Sequence, residues 1–340
     1  MNVNYIFSLI AVVVLFLLSY VGVEAMGLQV IFGVIIPYAA FIVFIVGFLY
    51  RVMGWSRSAV PFRIPTTCGQ QKSLPWIKQN KIDNPSSTGG VIIRMALEIL
   101  AFRSLFRNTR MELNDQKLTY KWEIWLWVFA LAFHYSFLVV LVRHMRFFFE
   151  PVPLVIKIIE LLDGFFRIEF LSPVLKVGLP GIYISGLVLL ASVTFLFLRR
   201  IVNPQVRYIS LAADYFPLFL IMGIAITGIM MRYFTKLDIV AVKELTMGLA
   251  TLHPTLPEGI GALFYVHLFF VSVLFAYFPF SKLMHLGGIF LSPTRNLANN
   301  NRAVRHVNPW NYPVPVHTYE EYEEEFREKM IEAGLPVEKE

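Results

Sequence analysis

Six stretches of this chain run without Asp, Glu, Lys or Arg: Tyr5–Val23, Met26–Tyr50, Ile124–Val142, Val177–Leu198, Tyr215–Met231 and Gly259–Ser281. A helix rises about 1.5 Å per residue, so roughly 20 apolar residues cross the hydrocarbon of a bilayer. Each stretch therefore predicts a transmembrane helix. The fifth is short at seventeen residues, and Arg232 at its end can extend its charge outward. The pattern divides the chain into an N-terminal transmembrane hairpin (1–50), a basic loop (51–121), a four-helix segment (122–290) and a tail (291–340). The opening stretch has no Lys or Arg ahead of it, and a second apolar run follows at once, so a retained hairpin is expected rather than a cleaved leader.

Composition agrees with a membrane solvent: 57% of 340 residues are hydrophobic and 16% charged. Within the spans the mid-depth ionisable groups are histidines. His134 and His144 belong to the third span, His267 and His285 to the sixth and its continuation. Ionisable side chains are costly at that depth and mark function. At 100° per residue, a separation of eighteen is five whole turns, setting His267 and His285 on one side about 27 Å apart. A separation of ten leaves His134 and His144 about 80° apart in angle and roughly 15 Å in height. Two antiparallel helices so spaced can meet as two His–His pairs at two depths. That is the requirement of two b haems stacked across a membrane, each held by an axial imidazole on either side. The lone cysteine, Cys68, excludes a disulfide framework, a cysteine-ligated cluster and covalent haem attachment. Nothing in the charge pattern calls for nucleic acid.

Basic loops set an orientation. Arg51–Lys121 holds twelve Lys/Arg against four Asp/Glu, and the loop after span four reads RRIVNPQVR. These segments and both termini are expected in the cytoplasm, in a multi-pass protein of the cell membrane. His144 and His267 then pair near the outer face, His134 and His285 near the inner face. Haem propionates need cations at the boundary, for which Arg143 and Arg146 stand on the outer side, and Arg199, Arg200 and Lys282 on the inner.

The stretch YVHLFFVSVLFAYFPFSKLMHLGGIF (Tyr265–Phe290) resembles the last helix of the respiratory nitrate reductase gamma subunit, a dihaem cytochrome b family. Leu196–Met230 is similar to its penultimate loop and helix, and His134-x9-His144 to its other ligand helix. The segments PFRIPTTCGQQKSLPWI (Pro61–Ile77) and NPWNYPVPVHTYEEYEEEFREKMIEAGLP (Asn308–Pro336) further resemble the DsrM-type cytochrome b subunit of the membrane complex linked to dissimilatory sulfite reduction. In archaea that complex is described as heterodisulfide-reductase-like and menaquinol-oxidising. The resemblance implies an all-α membrane protein whose six transmembrane helices include a four-helix core for two haems b. It implies menaquinol as substrate, with a quinol site near the outer haem where Lys176 occupies the similar position. It implies as partners an iron–sulfur heterodisulfide-reductase-like subunit, a multihaem cytochrome c, a ferredoxin-like subunit and a second integral membrane subunit.

Other segments yield local expectations. Glu150, Glu160, Asp163 and Glu169 are candidate proton acceptors, and His253 a further one; Pro151–Leu175 reads as an interfacial amphipathic helix. Glu98–Leu113 reads as a second amphipathic helix along the membrane. Thr318 is placed to cap a helix over Tyr319–Ala333, with Tyr319, Tyr322, Phe326 and Met330 recurring on one stripe for a partner. Two other functions stay open on sequence: a proton-coupled transporter with a histidine relay, and a passive membrane anchor. The first calls for intramembrane acids and repeats, which the sequence lacks; the second leaves four histidines without a purpose.

Overall fold

The structure is a computed structural model that describes residues 3–58, 60, 63–64, 69–165, 169–171, 176–178, 182–235, 237–306 and 315–338. Its elements run α1 (Asn4–Glu24), a π turn (Ile31–Ile35) leading into α2 (Ile36–Ser56), α3 (Thr88–Ala101), α4 (Arg103–Phe106), β1 (Thr109–Asn114) and β2 (Lys117–Trp122). They continue with α5 (Ile124–His144), α6 (Leu154–Asp163), β3 (Gly164–Phe165), β4 (Glu169–Leu171), β5 (Lys176–Gly178), β6 (Ile182–Tyr183), α7 (Ile184–Val202) and α8 (Pro204–Ile209). The chain closes with α9 (Ala212–Tyr233), α10 (Ile239–Ala250), α11 (Ala262–Tyr277), α12 (His285–Leu291) and α13 (Tyr319–Glu332). Among the described residues six helices are long and apolar enough to cross a membrane: α1, α2 with its π turn, α5, α7, α9 and α11. The fold is mostly helical, as the apolar pattern predicts. Chain alternation puts the segment 57–123 and the tail on one face, here the loop face, and α6 and α10 on the far face.

At the centre, α9 and α11 pack on each other and on α1; α2 leans on α11, and α7 joins α9 to α5. One core cluster, including Leu220, Leu245, Val266 and Phe270, binds α1, α9, α10 and α11. A second, built from Leu189, Val193, Ile221 and Ala225, joins α7 to α9 and receives Phe133 and Phe137 of α5. Close approach of α2 to α11 depends on two glycines: a Cβ on Gly33 would lie 2.9 Å from the Tyr265 ring, and one on Gly47 2.7 Å from Pro279. Small residues replace the hydrophobic effect as the means of bringing helices together in lipid. Hydroxyls buried in this core bond to nearby backbone: Ser8 donates to Ala212 at 2.8 Å and Ser272 to Leu268 at 2.8 Å.

Four expectations need correction. The fourth span begins at Ile184 rather than Val177, because β5 and β6 pair with β4 and β3 before the helix starts. Gly178, Pro180 and Gly181 in the sequence disfavour a helix there. The segment Glu98–Leu113 is not one helix. Phe102 adopts a left-handed conformation (φ 49) that ends α3, and β1 and β2 form a hairpin through Asp115 (φ 47) and Gln116 (φ 68). Positive φ at both central residues is the two-residue hairpin turn that matches strand twist. The amphipathic helix after Pro151 stops at Asp163. Finally, His267 and His285 do not share a continuous helix. After Tyr277 the chain makes two 3-10 turns, Phe278–Phe280 and Lys282–Met284, with Ser281 extended between them, before α12 starts at His285. Pro279 has no N–H to continue the α ladder, and the Ser281 hydroxyl accepts from the Leu283 N–H at 3.1 Å instead.

In the tail, Thr318 caps α13 in a capping box with Glu321, as its sequence predicts. The aromatic stripe is divided, however: Tyr319 and Tyr322 are exposed while Met330 is buried, and Tyr319 donates to the Pro336 carbonyl. Cys68 and residues 307–314 lie outside the described residues.

The loop face is held by a polar knot. The Arg63 guanidinium donates to the Asn84 side chain (2.7 Å), to the Asp83 carbonyl (3.1 Å) and to the Thr294 carbonyl (3.0 Å). Asp83 in turn pairs with Arg103 at 2.8 Å and with Arg107. Burial acts to raise the Asp83 pKa, but hydrogen bonding from Arg103 and the charges of Arg103 and Arg107 outweigh it and hold the carboxyl below its usual range. A depressed folded-state pKa adds stability above the unfolded value and loses it as pH falls through the folded value. Asp83→Asn is expected to loosen this knot by about 1–3 kcal/mol at pH 7. Amide exchange over residues 79–107 should accelerate, with the difference from wild type shrinking as pH falls below about 4.

Candidate functional site

The four histidines meet as two pairs across the seam between α5 and the α11–α12 arm. His144 and His267 have ring centres 6.3 Å apart and planes 14° from parallel. His134 and His285 have centres 5.9 Å apart and planes at 80°. The pairing is the one that spacing and chain direction predict, and it survives the break before His285. One helix places His134 and His144 three turns apart; α11 supplies His267, and the re-aimed chain after Pro279 supplies His285.

In every ring, Nδ1 is occupied. His134 Nδ1 lies 2.7 Å from the Ala130 carbonyl, His144 Nδ1 2.7 Å from Val140, and His285 Nδ1 2.8 Å from Lys282. Carbonyl oxygen only accepts, so these three rings carry their proton on Nδ1. His267 sits 2.8 Å from the Thr227 hydroxyl, which itself donates to the Gly223 carbonyl at 2.7 Å and so accepts from the ring. All four neutral imidazoles thus present Nε2 as the free lone pair.

A metal–imidazole nitrogen bond is about 2.0 Å, so two opposed rings sharing one metal have centres about 6 Å apart. Both pairs match. Among the described residues no group of three or more His, Cys, Asp or Glu could hold a bare metal ion. A metal between these rings must bring its remaining ligands with it, as the iron of a porphyrin does. α5 packs on α7 and is not closely packed on α11, with only Ala130 and Ser136 buried along its length. Aromatic edges line the seam, Phe102 and Phe133 lying 4.9 and 5.1 Å from the His134 ring. The residues fit a bis-imidazole haem at each level.

The cationic candidates divide. Arg143, beside His144, pairs with Asp163 at 3.0 Å and lies 3.6 Å over the Tyr183 ring, yet its Nε has no hydrogen-bond partner. Arg232 stacks on the other contact of the same ring at 3.9 Å, and its Nε is likewise unpartnered. Arg146 is engaged by Glu160 at 2.8 Å, Arg199 by Glu123 at 3.2 Å, Arg200 by the Ser210 hydroxyl at 3.0 Å, and Lys282 by Asp214 at 2.6 Å. Glu150 binds Lys243, and Asp163 also accepts from the Ser185 hydroxyl and amide. Lys176 opens β5 and Glu169 opens β4, but their side chains lie outside the described residues. His253 is exposed on the far face and contacts the Thr251 carbonyl. The sequence reading missed Thr227 as the acceptor for His267 and treated Arg232 only as the end of a span. The signal for Thr227 was a hydroxyl in the middle of an otherwise apolar span.

The family model described as nitrate reductase gamma subunit matches residues 118–306, a stretch that contains all four histidines. The chain belongs to the nitrate reductase gamma subunit family. Two relatives in this family are similar over most of their length. One, from Archaeoglobus fulgidus, is 48% identical over 288 residues, which is 83% of each chain; it is named an Hdr-like menaquinol oxidoreductase cytochrome b-like subunit. The other, from Archaeoglobus profundus, carries the same name and is 41% identical over 283 residues, 81% of each chain.

Outer hydrogen-bond partners fix the orientation of ligating imidazoles, and their loss commonly costs 10–100-fold in metal affinity. If a haem sits between His144 and His267, Thr227→Val is expected to weaken its retention by about that factor, with Thr227→Ser close to wild type. Haem loss to apomyoglobin, followed by absorbance, measures it.

Proposed function

We propose that this protein is the membrane cytochrome b subunit of a menaquinol-oxidising complex and holds two b haems, one between His144 and His267 and one between His134 and His285. The observation that carries the reading is the set of four imidazoles with Nδ1 tied off, brought together in two pairs about 6 Å apart between ring centres. The names of the two Archaeoglobus relatives support menaquinol as the electron donor. His144 with His267 and His134 with His285 would hold the haems, which would supply one-electron transfer when bound.

The chain's own residues perform the remaining tasks. Tethered imidazoles hold each ligand plane with little reorganisation. Arg143 and Arg232, with unpaired Nε–H groups at the far face, suit the propionates of the His144/His267 haem. The excess of Lys and Arg in 51–121 supports a cytoplasmic loop face, with both termini inside and His144/His267 toward the outside. Quinol would then bind near the far face, beside α6 and α10, with Lys176 as donor to its oxygen. Glu150, Glu160, Asp163 and His253 stand in the same region to take protons outward. Electrons moving inward while protons leave outward would contribute to the membrane potential. On the loop face, the basic loop and α13 are surfaces for an iron–sulfur heterodisulfide-reductase-like subunit. The sulfite-linked setting supplies the other partners: a multihaem cytochrome c, a ferredoxin-like protein and a second membrane subunit.

The purified, dithionite-reduced chain is expected to show two b haems, and alanine at any one of the four histidines to remove one haem. A chain with none would return the histidines to a relay or an anchor. At the quinol site, Lys176→Ala should weaken inhibition by a quinol analogue about tenfold, or about 1.4 kcal/mol, in a titration followed by haem reduction. An unchanged titration would move the quinol site elsewhere.

A further inference from the structure

α3 is built inside out. Its hydrophobic residues Ile92, Ile93 and Leu100 are exposed, while Arg94 and Glu98 are buried on the opposite stripe with Val91. Along a membrane an outward apolar face suits lipid, so the buried charges are the feature that needs a partner. Arg94 is only 4% exposed, and neither its Nε nor its Nη1 has a hydrogen-bond partner among the described residues. Arg295, ten residues beyond His285, also has an unpartnered buried Nε and stands 3.9 Å from Glu98. The Glu98 carboxylate is already taken up by the Ser104 amide and hydroxyl. A buried guanidinium with unmet donors is costly, and the group that repays it is an anion of carboxylate or phosphate geometry.

The same helix is fastened to α5 on both sides of His134. Trp127 Nε1 donates to the Ala101 carbonyl at 2.7 Å and the Tyr135 hydroxyl to the Leu100 carbonyl at 2.8 Å. Phe102, held left-handed at φ 49, lays its ring 4.9 Å from His134. That conformation is unfavourable for a bulky aromatic residue and persists only where surroundings impose it. Arg94 and Glu98 are buried on one stripe of α3, and Phe102, the residue just past its end, reaches the His134 ring. Arg295 closes the same region from the other partner of the pair.

We propose that α3 is a lid over the His134/His285 haem, and that Arg94, assisted by Arg295, binds its propionates. The proposal rests on the dihaem reading above. α3 precedes residue 118, where the family match begins. Lipid phosphate has the same recognition chemistry and is the competing occupant.

The test is a redox titration of the detergent-purified full chain, wild type against Arg94→Gln, Arg94→Lys and Arg295→Gln, with haem content measured alongside. The haem missing from His134→Ala identifies the inner one. An uncompensated propionate charge favours ferric iron. Arg94→Gln should therefore shift the inner haem's reduction equilibrium about tenfold toward the oxidised form, near 59 mV, leaving the outer haem in place. Arg94→Lys should restore most of the shift and Arg295→Gln should reproduce part of it. Inner-haem potentials indifferent to both arginines would overturn the lid, as would a shift that vanishes once phospholipid is stripped. Two haems of unaltered potential would defeat this proposal alone, whereas a wild-type chain without haem would defeat the reading beneath it.

Discussion

The site depends on a hydrogen bond from the protonated nitrogen of each imidazole to an acceptor fixed by the fold. Three of those acceptors are carbonyls three or four residues back in the same chain, so the orientation of the ring follows from local geometry. The fourth is a side chain, Thr227, and it joins α9 to α11. In a low-dielectric interior an unpaired N–H is costly, so these bonds also decide which tautomer exists and which nitrogen is available. That Nε2 keeps its lone pair in all four rings is a consequence.

Helix packing then sets the distance between partners. Gly33 and Gly47 let α2 lie against α11, and Pro279 ends the regular helix where the chain must turn to place His285. α5 is held from its other side, by α7 and by the aromatic carbonyl tethers of α3, rather than by α11. α5 and α11 are thus each braced mainly by other elements and not by one another.

Much of this was legible in the sequence. Helix positions followed from uninterrupted apolar runs, and the pairing of histidines from their spacing and the alternation of chain direction. The spacing argument assumed a continuous helix through His285; Pro279 and Ser281 break it, yet the pair still forms because topology, not angular phase, brings the two arms together. What stayed hidden depends on tertiary contacts. Arg94 and Glu98 sit among VIIRMALEIL, where two charges read as interruptions of an apolar face; only packing shows that both are buried. The hairpin at Asp115 and the left-handed Phe102 were missed because neither residue carries the glycine that usually announces positive φ.

The difference between the two ring arrangements, 14° at one level and 80° at the other, has an electronic meaning under the proposed ligation. Parallel imidazole π orbitals address the same iron d orbital and split it from its neighbour; crossed ones address both and leave them nearly degenerate. Chemically identical donor sets would thus give two magnetically dissimilar ferric centres. The distinction is written into where the backbone bends before His285, and not into any change of ligand.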